Sequence, residues 1–237
     1  MSLLKLENLS YKYDSAKTKV LDQISYEFDE GKIYAVIGKS GAGKTTLLSL
    51  LSGLASPSEG KILFKEKDIS SLDKYKYRSQ YVGVVFQSFN LLQNLTAVEN
   101  VVLSMDISGI KQKNKKEFAT QLLAKVGLSA DESKRRVLKL SGGQQQRVAI
   151  ARALSYNPEI ILADEPTGNL DGETQQEIMS IFHELANEGK CIILVTHSPI
   201  VAESADVVYE LIDLSKNKAK KKDASGKGVQ NKVQAVV

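Results

Sequence analysis

The chain has 237 residues, 42% of them hydrophobic and 25% charged, the balance of an ordinary globular protein with room for one substantial core or two closely packed lobes. Its one cysteine excludes a disulfide framework and any cysteine-rich zinc site, and no apolar run reaches the length of a membrane span or resembles a secretory signal, so a cytosolic chain is expected. The formal charge of +4 is a property of one end: from Ser215 onward there are seven Lys and one Asp, leaving 25 basic against 27 acidic residues before it.

Residues 3–13 and 20–28 alternate in polarity as antiparallel strands do, with a polar loop at 14–19 between them. Ile33-Tyr34-Ala35-Val36-Ile37 is a short apolar run of the kind a buried parallel strand requires. It leads into Gly38-Lys39-Ser40-Gly41-Ala42-Gly43-Lys44-Thr45, and a helical pattern begins at once with Thr46. Strand, glycine-rich loop and helix in that order are the surroundings a phosphate-binding loop demands. The glycines let backbone amides turn inward where a Cβ would block approach, and the helix start adds unpaired N–H groups and a positive dipole end. Lys44 can then reach the β- and γ-phosphates of a nucleotide, and the Thr45 hydroxyl suits Mg2+, which prefers oxygen donors.

Further strands are expected at 61–64, after a turn at 57–60, and at 81–86, ending at Gln87. From 89 to 157 the pattern is helical, broken at Gly109 and Gly127. Within it, Leu140-Ser141-Gly142-Gly143-Gln144 opens an apolar-periodic helix and makes a second anion-ready helix start. Ile160-Ile161-Leu162-Ala163 reads as a parallel-type strand and leads straight into Asp164-Glu165-Pro166. Both carboxylates therefore emerge at a carboxyl-terminal strand end, the edge where open α/β sheets bind ligands. Asp164 suits Mg2+, and Glu165 can stand beside a γ-phosphate to orient or deprotonate water. Gln87 and His197 occupy two more strand ends: the glutamine can ligate Mg2+ or hold water, and the histidine can donate to a phosphate. His183, inside the amphipathic run 175–186, is expected to face solvent, and Cys191 to be a buried strand thiol. The lysine-rich segment 215–237 is expected to be disordered.

These segments, in this order, resemble the nucleotide-binding subunit of ATP-binding cassette (ABC) transporters over residues 3–214. The fold implied is α/β: a P-loop NTPase core with a mostly parallel sheet, an antiparallel β subdomain and a helical subdomain at about 88–157. The resemblance implies a homodimer in which ATP lies between Lys44 of one copy and Ser141, Gly142, Gly143 and Gln144 of the other. It also implies Asp171, in Gly168-Asn169-Leu170-Asp171, at the dimer seam. Tyr13 is similar to the residue that stacks on adenine, although Tyr11 shares its strand face by period-2 alternation and periodicity does not choose between them. The loop contacts implied extend from Gly38 to Thr46. Thr45, Gln87 and Asp164 are the implied Mg2+ set, and Glu165, His197 and Gln87 the catalytic one.

Val85-Phe86-Gln87-Ser88-Phe89-Asn90, Asp164-Glu165-Pro166-Thr167-Gly168-Asn169 and the run after Ser141 resemble the macrolide-exporter, lipoprotein-releasing and cell-division branch. That likeness implies a permease with a large extracytoplasmic domain, a membrane-fusion-type accessory protein, a place on the inner face of the cell membrane and no nucleic acid. Lys39 stands where proline is frequent in the family and Ser198 where aspartate is. An importer subunit is the alternative. DNA-repair and translation ATPases fit less well, because Gly38 and Ser141 are too close for an intervening coiled coil and only one set of motifs is present.

Overall fold

The computed structural model describes residues 2–16, 18–168, 170–212, 214 and 233–235, the last three by their backbone alone. β1 (Leu4–Tyr11) pairs antiparallel with β2 (Leu21–Ile24), β3 (Glu27–Phe28) and β5 (Glu59–Phe64), which turns back into β6 (Lys67–Asp68). The single strand expected over 20–28 is thus two. Gln23 has a positive φ of 49°, and the Asn8 amide donates to Ser25 Oγ (3.0 Å) where a ladder bond would otherwise run. β1 also ends two residues before Tyr13, because Lys12 N donates to Ser58 Oγ (3.0 Å) instead of continuing the pairing.

The second sheet has the order β11-β10-β4-β9-β8-β7, formed by β4 (Ile33–Gly38), β7 (Val82–Val85), β8 (Ile160–Asp164), β9 (Cys191–Val195), β10 (Val207–Leu211) and β11 (Val233–Ala235). All pairs are parallel except the last strand on β10. The sequence reading missed β10, whose Val-Val-Tyr-Glu-Leu run carries a strand signal; it lies beside β4, with Leu211 opposite Gly38. β11 corrects the expectation of disorder at 233–235: an edge strand offers a row of unpaired N–H and C=O groups, and this segment takes them up. The rest of the expected tail, 215–232 and 236–237, lies outside the described residues.

Strand alternation divides the interior into two cores. Ile33, Ala35, Ile161, Ala163, Ile192 and Leu194 face α6 (Gly142–Leu154), α7 (Gly172–Asn187), α8 (Pro199–Glu203) and the helical lobe. Tyr34, Val36, Ile160, Leu162, Cys191, Ile193 and Val195 face α1 (Lys44–Leu51) and the antiparallel sheet. Cys191 is a buried free thiol, as its strand position implied, and burial pushes its ionisation upward. Tyr209 fastens the edge strand to the antiparallel layer by stacking on Tyr26 at 4.0 Å and donating to Glu27 O (2.8 Å).

The helical lobe comprises α3 (Ala97–Ser108), α4 (Lys115–Lys125) and α5 (Ala130–Ser133), packed on α6, while the short α2 (Lys74–Lys76) and the wide turn Tyr77–Tyr81 precede β7. Capping boxes set its starts: Thr96 with Glu99, Ser129 with Glu132, and Ser141 with Gln144. His183 is exposed on α7, as the helical pattern required. None of the described helices is long and apolar enough to cross a membrane.

Candidate functional site

Three parallel strands end at one place. β4 delivers the loop Gly38–Thr45, β8 delivers Asp164 and Glu165, and β9 delivers Thr196 and His197. Lys39, Ser40 and Gly41 form the exposed crown of the loop, and Ala42 and Gly43 lie buried beneath it. Gly43, at φ +96°, is left-handed, and a Cβ there would lie 2.8 Å from side-chain carbons of both Val20 and Leu21. Gly38 is held as tightly, with a hypothetical Cβ 2.8 Å from Leu211 O. Only glycine fits these positions.

α1 begins at Gly43 with no side-chain cap and no acid in its first turn, so its leading N–H groups are free for an anion. Lys44 Nζ donates to Gly38 O (2.8 Å) and Lys39 O (3.4 Å), which lays the cation across the loop. The loop thus presents a Cβ-free cradle, a helix start and an ammonium group, a donor set that fits a polyphosphate.

Beside it, Thr45 Oγ1 donates to Asp164 Oδ2 (3.3 Å). Burial raises the Asp164 pKa and the neighbouring Glu165 charge adds to that, while the Thr45 hydrogen bond and Lys44 oppose it. A half-buried carboxylate next to a hydroxyl is a hard-oxygen pair that a divalent cation would complete, so these residues fit Mg2+. Gln87 is exposed just beyond β7, with its amide nitrogen 3.8 Å from where a Gly168 Cβ would stand.

Glu165 is held hard. Its Oε1 lies 2.6 Å from His197 Nδ1, and its Oε2 accepts from Thr196 Oγ1 (3.2 Å) and from the His197 amide (3.3 Å). Its own amide donates to Val195 O (2.9 Å) and its φ is +45°, a conformation that costs a non-glycine residue on the order of 1 kcal/mol. The His197 side chain is 70% exposed against 11% for Glu165, so the ring stands at the mouth with the carboxylate behind it. Thr196 is a site residue that the sequence reading passed over; its hydroxyl also accepts from Ser198 N (3.0 Å). A threonine set between an apolar strand run and a histidine was the available signal.

Tyr13 and Tyr11 now differ. Tyr11 packs against the antiparallel core, whereas Tyr13 is 46% exposed and its hydroxyl is 2.9 Å from Thr46 Oγ1 on the first turn of α1. The two rings meet edge to face at 5.0 Å.

The second glycine-rich segment stands apart, and among the described residues no hydrogen bond joins it to the loop of Lys44. Ser141 caps α6: its Oγ accepts from Gln144 N (3.3 Å) while its amide donates to Gln144 Oε1 (2.9 Å). Gln144 Nε2 donates to Glu132 Oε1 (2.7 Å), which ties the cap to α5. A Cβ on Gly143 would lie 2.7 Å from Thr174 Cγ2, so glycine here permits α6 to start against α7. Asp171 caps that neighbour, accepting from Thr174 N and Thr174 Oγ1, both at 2.9 Å, and the amide bond holds its carboxyl below the usual range. Asp171 and Gly143 thus meet through one threonine.

The family model described as ABC transporter matches residues 21–168. An uncharacterised ABC transporter ATP-binding protein of Bacillus subtilis, YclH, is 46% identical over 89% of this chain and 94% of its own length. The macrolide export ATP-binding/permease protein MacB of Vibrio parahaemolyticus is 42% identical over 89% of this chain, which spans only 33% of that longer relative. Among solved structures, the dimeric ABC transporter cassette MJ0796 is similar with a TM-score of 0.80 and 36% identity, covering 89% of this chain and 94% of that one. A second structure of that cassette, a post-hydrolysis dimer bound to ADP and phosphate, matches equally well.

Proposed function

Because this chain belongs to the ABC transporter family of ATP-binding cassettes and is an ATPase, we propose that it works as a homodimer that closes on ATP to drive an export or mechanotransmission permease. The observation that carries the proposal is the Glu165 carboxylate, fixed by His197 and Thr196 beside the Asp164–Thr45 pair and the loop of Lys44.

In this reading Gly38, Lys39, Ser40, Gly41, Ala42, Gly43, Lys44, Thr45 and Thr46 bind the triphosphate. Tyr13 is the adenine-stacking ring, since it is exposed and anchored at the head of α1 while Tyr11 is packed away. Ser141 to Gln144 of the second copy approach the γ-phosphate, with Asp171 at the seam. Thr45, Asp164 and Gln87 would hold Mg2+, which when bound neutralises charge on the β- and γ-phosphates. Glu165 accepts the proton of the attacking water as its oxygen bonds to the γ-phosphorus and the bond to the ADP oxygen breaks, giving ADP and phosphate. His197 donates to the γ-phosphate and keeps Glu165 aimed at the water. Closure is the differential affinity of the dimer for its ATP state, and hydrolysis removes the phosphate bridge that joined the halves.

The MacB likeness supports the export branch, in which the permease carries a large extracytoplasmic domain and a membrane-fusion-type protein assists. None of the described helices crosses a bilayer, so such a permease would hold the cassette at the inner face of the membrane. The groove between the sheet and the helical lobe, beside 87–92, is the proposed contact with it. Glu165→Gln separates binding from turnover: size-exclusion chromatography at millimolar ATP and Mg2+ should give a stable dimer whose turnover is down by on the order of a hundredfold or more. A monomer under those conditions would refute the scheme.

A further inference from the structure

The second glycine-rich segment has an acid beside it to which the hydrolytic scheme gives no role. Glu132, on the single turn of α5, would ordinarily be a liability near a place where phosphate is to be received, because like charges repel. Its carboxylate is instead saturated. Oε2 accepts from Ser129 N (2.8 Å) and Ser129 Oγ (2.7 Å), and Oε1 accepts from Gln144 Nε2 (2.7 Å). The bonds from Ser129 are the main cause that holds its carboxyl below the usual range, so at neutral pH it is charged and can only accept.

The bond to Gln144 does more than join two helices. A glutamine amide has one accepting and one donating end, and turning it over exchanges them. Gln144 Oε1 accepts from Ser141 N (2.9 Å), so in the turned-over amide an NH2 group would face the Ser141 N–H, donor against donor. Glu132 forbids that state, because its Oε1 requires the NH2 end for itself. Ser129, Glu132, Gln144 and Ser141 therefore form one directed run of hydrogen bonds with a single polarity.

That polarity decides what the segment offers. Ser141 N is occupied, and Gln144 N is given to Ser141 Oγ (3.3 Å), which keeps its own proton to donate. Among the described residues the backbone N–H groups of Gly142 and Gly143 make no hydrogen bond. These three donors are the ones a phosphate oxygen can use. The acid also strengthens the run, since an amide whose NH2 is held by a carboxylate presents a better accepting oxygen at its other end.

We propose that Glu132 is a positioning residue for ATP hydrolysis: through Gln144 it fixes which donors of Ser141, Gly142 and Gly143 meet the γ-phosphate held by the other copy. This rests on the two-copy reading of the site above and adds a residue to it. Glu132 acts only through Gln144. Because α5 packs on α3 and α4, alignment of the segment comes to depend on the seat of α5 in the helical lobe.

The test exchanges the two polar ends of the pair. ATP hydrolysis by the full chain is measured at millimolar ATP and Mg2+, beside equilibrium binding of a fluorescent ATP analogue to the monomer. Glu132→Gln removes one acceptor with little change of shape, so turnover should fall roughly five- to tenfold while monomer affinity stays within about twofold. Gln144→Glu alone sets two carboxylates face to face and should also lower turnover. Together the two substitutions again give every donor an acceptor, with the carboxylate now at the Ser141 end, and turnover should return to within about threefold of the parent. Ser129→Ala controls for stability: it strips the cap from α5 but keeps the bond to Gln144, so the melting temperature should fall while turnover stays within about twofold.

Unchanged turnover or weakened monomer binding in Glu132→Gln, an equal loss of turnover in Ser129→Ala, or a double variant no better than Glu132→Gln would overturn this inference. Ser141→Ala separates it from the reading beneath. If that variant loses turnover with monomer affinity intact while Glu132→Gln does not, only the role of Glu132 falls. If Ser141→Ala leaves turnover intact, the two-copy site falls with it.

Discussion

The two glycine-rich helix starts of this chain use the same backbone physics for different ends. The loop before α1 is left open: no side chain caps the helix, and two of its glycines, Gly38 and Gly43, sit where a Cβ would collide. The start of α6 is closed on itself, with Ser141 and Gln144 bonded reciprocally and Gln144 bonded onward to Glu132. An open helix start seeks an anion by itself, because its N–H groups have no other partner. A capped start has already satisfied part of that demand, so it adds to a phosphate site only when another element presents the phosphate. The Ser141 hydroxyl accepts from Gln144 N and still has its own proton to give. This is the asymmetry a composite site requires, with one half that binds alone and one half that reads what has been bound.

Removing the ammonium of the open half has the largest expected effect. Lys44→Ala should weaken ATP binding to the isolated chain by on the order of a hundredfold, as expected for loss of a charge-assisted phosphate contact. Equilibrium binding of a fluorescent ATP analogue measures it, and unaltered affinity would mean that the open half is not the nucleotide grip. Ser141→Ala sharpens the comparison from the other side. It removes an N-cap and should cost about 1 kcal/mol of stability, yet leave ATP affinity of the monomer within about twofold while lowering dimer-dependent turnover roughly tenfold. Weakened monomer binding would show that the two halves act within one chain and not across a pair.

Most of the open half was legible in sequence. Gly38 to Thr45, the strand before and the helix after are local features, and Asp164, Glu165, Gln87 and His197 all follow apolar strand runs whose ends a parallel sheet aligns. What strand ends alone did not carry was Thr196, which earns its place through a contact with Glu165, 31 positions away in the chain. The choice between Tyr11 and Tyr13 was equally closed to periodicity, because β1 stops at Tyr11 and the alternation that equated them does not continue. β10 was missed for a related reason: its partner β4 lies more than 160 residues earlier, and a short helix immediately before it hid the strand boundary. In the capped half the glycines were visible, but the reason for Gly143 was not, since it is the Thr174 methyl of another helix.

The smallest effect tests the charge that the open half carries while no cation compensates it. Burial and the neighbouring Glu165 raise the Asp164 pKa above the ordinary carboxylate value. A carboxyl whose folded pKa is raised binds its proton more tightly in the folded chain, so ionising it opposes folding. That opposition is absent below the unfolded pKa, grows through the interval up to the folded pKa, and is complete above it. At neutral pH the cost is therefore fully present, and Asp164→Asn should raise the melting temperature of the nucleotide-free chain by a few degrees, with the gain vanishing as pH falls below the ordinary Asp range. In Mg2+ and ATP the order should reverse, because the parent gains from the cation that its Asp164–Thr45 pair fits and the variant does not. Melting curves at neutral and acidic pH, with and without Mg2+ and ATP, separate the two terms. A variant that melts below its parent at neutral pH without ligands would show that the Thr45 hydrogen bond and Lys44 outweigh burial, and that this half is stable with its carboxylate charged.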